Sequence, residues 1–180
     1  MGKRLVGSVG LAPGSDSGFD LDTKGQIHGY TSTQYALDVG NDSDILVCDS
    51  GEASGLKYTA NTTSFVVACS DETTALTTGT KVTFRLPYAY TITEVRASLT
   101  TAGTGANLVT LDFEQNGTSI LSTKITIDAS ELTSTTAAAQ PVISTSALTD
   151  DAAIDCDIDQ IDSGGVSAGL KMYLIGYKTL

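Results

Sequence analysis

Residues 107–121 read Asn107-Leu108-Val109-Thr110-Leu111-Asp112-Phe113-Glu114-Gln115-Asn116-Gly117-Thr118-Ser119-Ile120-Leu121. Val109, Leu111 and Phe113 alternate with Thr110, Asp112 and Glu114, the period of a strand buried on one face. Asn116-Gly117 follows at once. Both central positions of a type I′ turn need positive φ, and this dipeptide tolerates it, so the segment is predicted to return as a hairpin through Thr118–Leu121.

The same period recurs on both sides. In Thr80–Leu86, Val82, Phe84 and Leu86 alternate with Lys81, Thr83 and Arg85; Pro87, without an amide proton, ends the pairing, and Tyr90–Leu99 begins the next strand. Phe65–Cys69 precedes these strands, and Gly103-Thr104-Gly105 turns the chain between two of them. Lys124–Ile127, Val142-Ile143, Ala152–Ile158 and Gly169–Tyr177 follow, with a Thr/Ala-rich loop over Ser134–Ala139. These make about eight short strands at the spacing of a sandwich or jelly roll. Thr, Ser, Gly, Val, Ile and Ala dominate, and no stretch carries a helical apolar period. The fold class is therefore predicted to be all-β: an extended N-terminal arm over residues 1–64, then an antiparallel, jelly-roll-like β-sandwich over residues 65–180.

The arm differs in composition. Gly10–Gly18 is turn chemistry, and Leu5, Val6, Phe19, Ile27, Tyr30, Tyr35, Leu37, Leu46, Leu56 and Tyr58 are too sparse to bury one another within one copy. Layers from symmetry mates would supply the missing core, which predicts a homotrimer with Ile27, Tyr30, Tyr35, Leu37, Leu46, Leu56 and Tyr58 at its contacts.

A net charge of −11 and a pI near 4.2 disfavour nucleic acid, whose affinity depends on Lys and Arg displacing counterions. No apolar run is long enough to cross a bilayer, and Met1–Gly7 lacks the apolar centre of a secretory signal. Neither nucleic acid nor membrane is expected as a partner, and the product is expected to fold in the cytoplasm where it is made. Cys48, Cys69 and Cys156 have no metal-ligand spacing and read as small buried hydrophobes without a disulfide.

No cofactor, metal or catalytic residue is expected. Asp155, Asp157 and Asp159 alternate with Ile154, Cys156 and Ile158, so their carboxylates form a row on one face, a geometry better suited to a solvated outer surface than to a cation cage. Asp16, Asp20, Asp22, Asp42 and Asp44 lack the spacing of a calcium loop and read as turn caps. His28 is the single histidine, no Gly-x-Ser-x-Gly elbow is present, and carboxylate pairs such as Glu94 with Glu114 or Glu131 carry no weight without geometry. Tyr88, Tyr90, Tyr173 and Tyr177 combine an aromatic ring with a polar tip, and Tyr88 and Tyr90, next to Pro87, are the candidate glycan contacts.

Two stretches resemble virion proteins. Lys24-Gly25-Gln26-Ile27, Asp44-Ile45-Leu46-Val47-Cys48-Asp49-Ser50 and Ala53-Ser54-Gly55-Leu56-Lys57-Tyr58 resemble a short module near the base of bacteriophage fibre proteins, departing from it at Tyr58, where Trp is usual, and at Asn41–Asp44. Val82–Tyr88 with Glu94–Ser98, Ser119–Asp128, Asp157–Ile161 and Gly169–Lys171 resemble a C-terminal β-domain of tailed-phage surface proteins. The resemblance implies a jelly-roll-like domain and a structural protein of the virion surface, not an enzyme.

The expected function is thus a homotrimeric capsid decoration (cement) or head-fibre protein. Lys3, Arg4, Leu5, Val6 and Phe19 would attach it to the major capsid protein or another virion protein. The alternative is a short tail-fibre or receptor-binding protein that contacts a host surface glycan. A small hydrolase is the third class, distinguished by polysaccharide cleavage that one carboxylate substitution abolishes.

Overall fold

The computed structural model describes residues 27–30, 34–38, 40–41 and 44–179. Chain contacts divide it into two compact units, with most of the first four strands in one and everything from Ala60 onward in the other.

In the first unit, β1 (Ile27–Tyr30) pairs antiparallel with β2 (Gln34–Leu37), Ile27 lying opposite Leu37. β3 (Asp44–Cys48) and β4 (Leu56–Ala60) form a second two-stranded sheet.

The second unit begins with β5 (Thr63–Ala68), β6 (Gly79–Arg85), β7 (Tyr90–Ser98) and β8 (Val109–Gln115). After the turn come β9 (Thr118–Ser119), β10 (Leu121–Thr123), β11 (Ile125–Ile127), β12 (Val142–Ile143) and β13 (Ala147–Leu148), then β14 (Ala153–Gln160) and β15 (Lys171–Lys178). One main sheet has the order β13-β7-β15-β5; the other has β11-β8-β14-β6, with β9 paired to β8. All these pairs are antiparallel.

The connectivity is that of a long hairpin rolled up. Its rungs are β5 with β15, β6 with β14, β7 with β13 and β8 with β11, and rolling brings β7 beside β15 and β8 beside β14. This is the jelly-roll pattern, which removes most free strand edges. The predicted all-β, antiparallel sandwich is thus the observed fold.

Alternation fills the space between the sheets. Leu111, Phe113, Ile125, Ile154, Cys156, Met172 and Leu174 are each 0% exposed and belong to one core cluster. Burying one such aliphatic or aromatic side chain is worth about 1.5–3 kcal/mol, so this face of each strand fixes its register. Asn116 (φ 52°) and Gly117 (φ 77°) occupy the positive-φ turn that the dipeptide predicts.

Three local details differ from the sequence reading. Thr118–Leu121 is not one strand: the chain breaks at buried Ile120, whose amide donates to Phe113 and whose carbonyl accepts from Ser144 and Thr145, and β10 then pairs with β12. The strand β13 was not predicted, because Ala147-Leu148 carries no β-branched or aromatic residue to mark it; its register, Ala147 opposite Thr91 and Leu148 opposite Tyr90, completes its sheet. Finally, β5 begins at Thr63, so it crosses the boundary drawn between residues 64 and 65.

Candidate functional site

The outer face of the β13-β7-β15-β5 sheet carries a groove lined by aromatic, cationic and hydroxyl groups. Because Met172 and Leu174 point into the core, Tyr173 and Ile175 of β15 point outward, and β7 places Arg96 and Ser98 beside them. Ser64 from β5 and Thr133 and Thr135 from the loop after β11 complete the lining of a groove of 300 Å³.

Hydrogen bonds hold this lining in place. The Tyr173 and Ser98 hydroxyls are 3.0 Å apart, the Thr133 and Thr135 hydroxyls are 3.0 Å apart, and the Ala97 amide donates to the Ser134 hydroxyl at 2.9 Å. Arg96 forms a two-pronged bond with Glu94, Nε to Oε1 at 2.5 Å and Nη2 to Oε2 at 2.9 Å, and the two side chains are 47% and 43% exposed. Glu94 reaches this face because β7 carries a bulge: Ile175 pairs with Glu94 but Gly176 with Ile92, leaving Thr93 as the extra residue. Glu94 itself lines a second groove, of 360 Å³, together with Thr93, Val95 and the segment 140–143.

The predicted glycan contacts fare differently from each other. Tyr90 is 0% exposed: its ring meets Phe65 edge-on at 5.1 Å, and its hydroxyl donates to the Thr63 carbonyl at 2.8 Å. Burial pushes its phenol up, so Tyr90 is a core residue and its assignment as a glycan contact is corrected. The reason is parity: Tyr90 shares the inward face of β7 with Ile92. Tyr88 is half-buried, joins the same aromatic cluster, and has Lys178 Nζ 5.2 Å above its ring. Its neighbour Pro87 signalled a loop, but not which way the rings would turn.

On the opposite sheet, Asp155 and Asp157 of β14 lie outward as predicted, opposite Glu114 and Asp112 of β8. Thr83 donates to Asp155 at 2.5 Å, and burial together with the nearby Asp157, Asp112 and Asp155 carboxylates pushes Glu114 above the usual carboxylate range. Among the described residues no group of three or more His, Cys, Asp or Glu is placed to hold a metal ion.

The predicted trimer contacts lie on the first four strands. Ile27 and Leu37 are half-buried partners on β1 and β2, Leu46 is 38% exposed on β3, and Leu56 and Tyr58 are half-buried on β4. Tyr30 and Tyr35 fall within β1 and β2. The turn joining β3 to β4 is held locally: the Asp49 carboxylate accepts from the Gly51 amide at 2.8 Å and pairs with Lys57, and Gly55 adopts φ 68°. Gly40 is equally constrained, since a Cβ there would lie 2.6 Å from Tyr58 Cγ. Lys3, Arg4, Leu5, Val6 and Phe19, together with Asp16, Asp20, Asp22 and Asp42, lie outside the described residues.

No protein-family model and no curated protein matches the chain.

Proposed function

We propose that this is a homotrimeric surface protein of a phage virion, a capsid decoration or head-fibre protein, fixed to the particle through its N-terminal region and displaying the jelly roll. The observation that supports this reading is the contrast in burial between the two parts of the chain. The sandwich has a buried core drawn from Cys69 to Leu174, although Val66, Leu132, Val142 and Val166 stay exposed on its surface, whereas among the residues of β1–β4 whose burial is described none is buried, and Ile45 and Leu46 are 43% and 38% exposed on a sheet of only two strands. Such a sheet is marginal alone and gains a core when copies add layers. The resemblance of Asp44–Ser50 and Ala53–Tyr58 to a fibre-base module points the same way.

The test is sedimentation and particle incorporation of three proteins: the full chain, Leu46→Asp, and a deletion of residues 1–59 that spares β5. A trimeric full chain, a dissociated L46D and a folded, monomeric sandwich that no longer joins particles are expected. A monomeric full chain, or a deletion protein still incorporated, refutes the reading. The alternative, a short tail-fibre protein that binds a host glycan, draws support from the Tyr173 groove; electron microscopy of the virion separates head from tail.

A further inference from the structure

We infer that the groove lined by Tyr173 is a binding site for a neutral saccharide, with Tyr173 as the ring platform and Arg96, held in place by Glu94, as the polar contact. The chemistry of the lining carries this. A sugar ring offers an apolar face of C–H bonds and a rim of hydroxyls that both donate and accept. Here one half-buried aromatic ring lies beside a planar cation, already fixed in one geometry by its two bonds to Glu94. That fork engages two of the guanidinium's donors and leaves the others for a ligand. Ser64, Thr133 and Thr135 add hydroxyls around the ring.

Charge selects among ligands. The chain carries −11 overall, and the one cation of this groove is neutralised by Glu94, so a sialylated or sulfated glycan would meet repulsion without a free counter-charge. A volume of 300 Å³ is at the small end for ligand sites and suits a mono- or disaccharide unit. The site lies within the sandwich, so the inference is independent of where the protein sits on a virion, and failure of either leaves the other standing.

The experiment is saturation-transfer NMR on the full chain with methyl glycosides and disaccharides of glucose, galactose, mannose and N-acetylglucosamine, and with sialyllactose as the anionic counterpart. At least one neutral probe is expected to bind. Tyr173→Ala and Arg96→Gln should each weaken it by about tenfold, the size of one lost aromatic or charge-assisted contact. Tyr173→Phe should retain binding because it keeps the ring, and Thr135→Arg, at an exposed position, should block the groove without disturbing the core. Absence of binding to every neutral probe, binding of sialyllactose alone, or affinity unchanged in Y173A, R96Q and T135R overturns the assignment. So does a change of oligomeric state in T135R, which would make this face a contact between copies.

Discussion

The Lys124 ammonium lies 3.1 Å from the carboxylate of Asp112, a side chain only 1% exposed, and 2.8 Å from that of Asp159. Ser119 donates to the other Asp112 oxygen at 2.8 Å, so a hydroxyl bonds one oxygen and a cation faces the other at ion-pair distance, in an acid that strand alternation alone would leave in solvent. Lys124→Ala removes the cation and leaves the buried carboxylate short of a partner. We expect a loss of about 1–3 kcal/mol in urea unfolding, with Lys124→Arg recovering part of it. A K124A midpoint equal to that of the parent protein would show that Ser119 alone suffices.

Acid should weaken the loop that follows β14. Asp162 is 2% exposed; burial alone would raise its pKa, but bonds from the Ser167 hydroxyl and from the Thr104, Val166 and Ser167 amides outweigh it and hold the carboxyl at about 2. A folded-state value below the unfolded one stabilises the protein above the unfolded pKa, and that stability is lost as pH falls from about 4 toward about 2. Glu114, shifted upward, has the opposite sign: its contribution is present when it is protonated and disappears as pH rises through its folded value. Asp162→Asn should therefore flatten the acid limb of a melting-temperature profile by the equivalent of about 1–2 kcal/mol, and an unchanged limb would sink this account.

Tyr90→Phe tests the corrected role of that residue. It deletes the bond to the Thr63 carbonyl while keeping the ring against Phe65, and should cost about 0.5–1.5 kcal/mol. Tyr90→Ala should cost about 3–5 kcal/mol. Amide exchange at the start of β5 should accelerate in the phenylalanine variant; identical protection factors there would count against the tether.

Thiol labelling should sort the three cysteines. Cys48 is exposed on β3, whereas Cys69 and Cys156 are buried, and contact with the Cys69 thiol together with burial pushes the Cys156 thiol up. A maleimide should modify Cys48 alone in the native protein, and all three after unfolding, as read by intact mass. Native modification of Cys156 would mean that the two sheets open on the labelling timescale.

Much of the sandwich was legible because its strands are long enough to repeat. Val109, Leu111 and Phe113 fixed one inward face, and Asn116-Gly117 its turn, with no help from the rest of the chain. β13 was illegible for a different reason: Ala147-Leu148 owes its strand geometry to the β7 edge beside it, a tertiary partner that no local window contains. The candidate groove was half visible. Tyr173 could be singled out as an aromatic with a polar tip, but its union with Glu94 and Arg96 depends on the extra residue at Thr93, which changes which side of β7 each neighbour faces. Tyr90 was misread because a nearby proline marks a loop, whereas parity with Ile92 decides the direction of the ring.

In the rolled hairpin Thr63, at the start of β5, stands directly opposite Gly176, near the end of β15. The polypeptide therefore arrives at the sandwich and departs from it through one doorway. A body tethered this way can be spliced into a loop of another protein without prising that loop apart, or exchanged for another of its kind. Such interchangeability lets the surface of the sandwich diversify while the polypeptide leading into it stays the same.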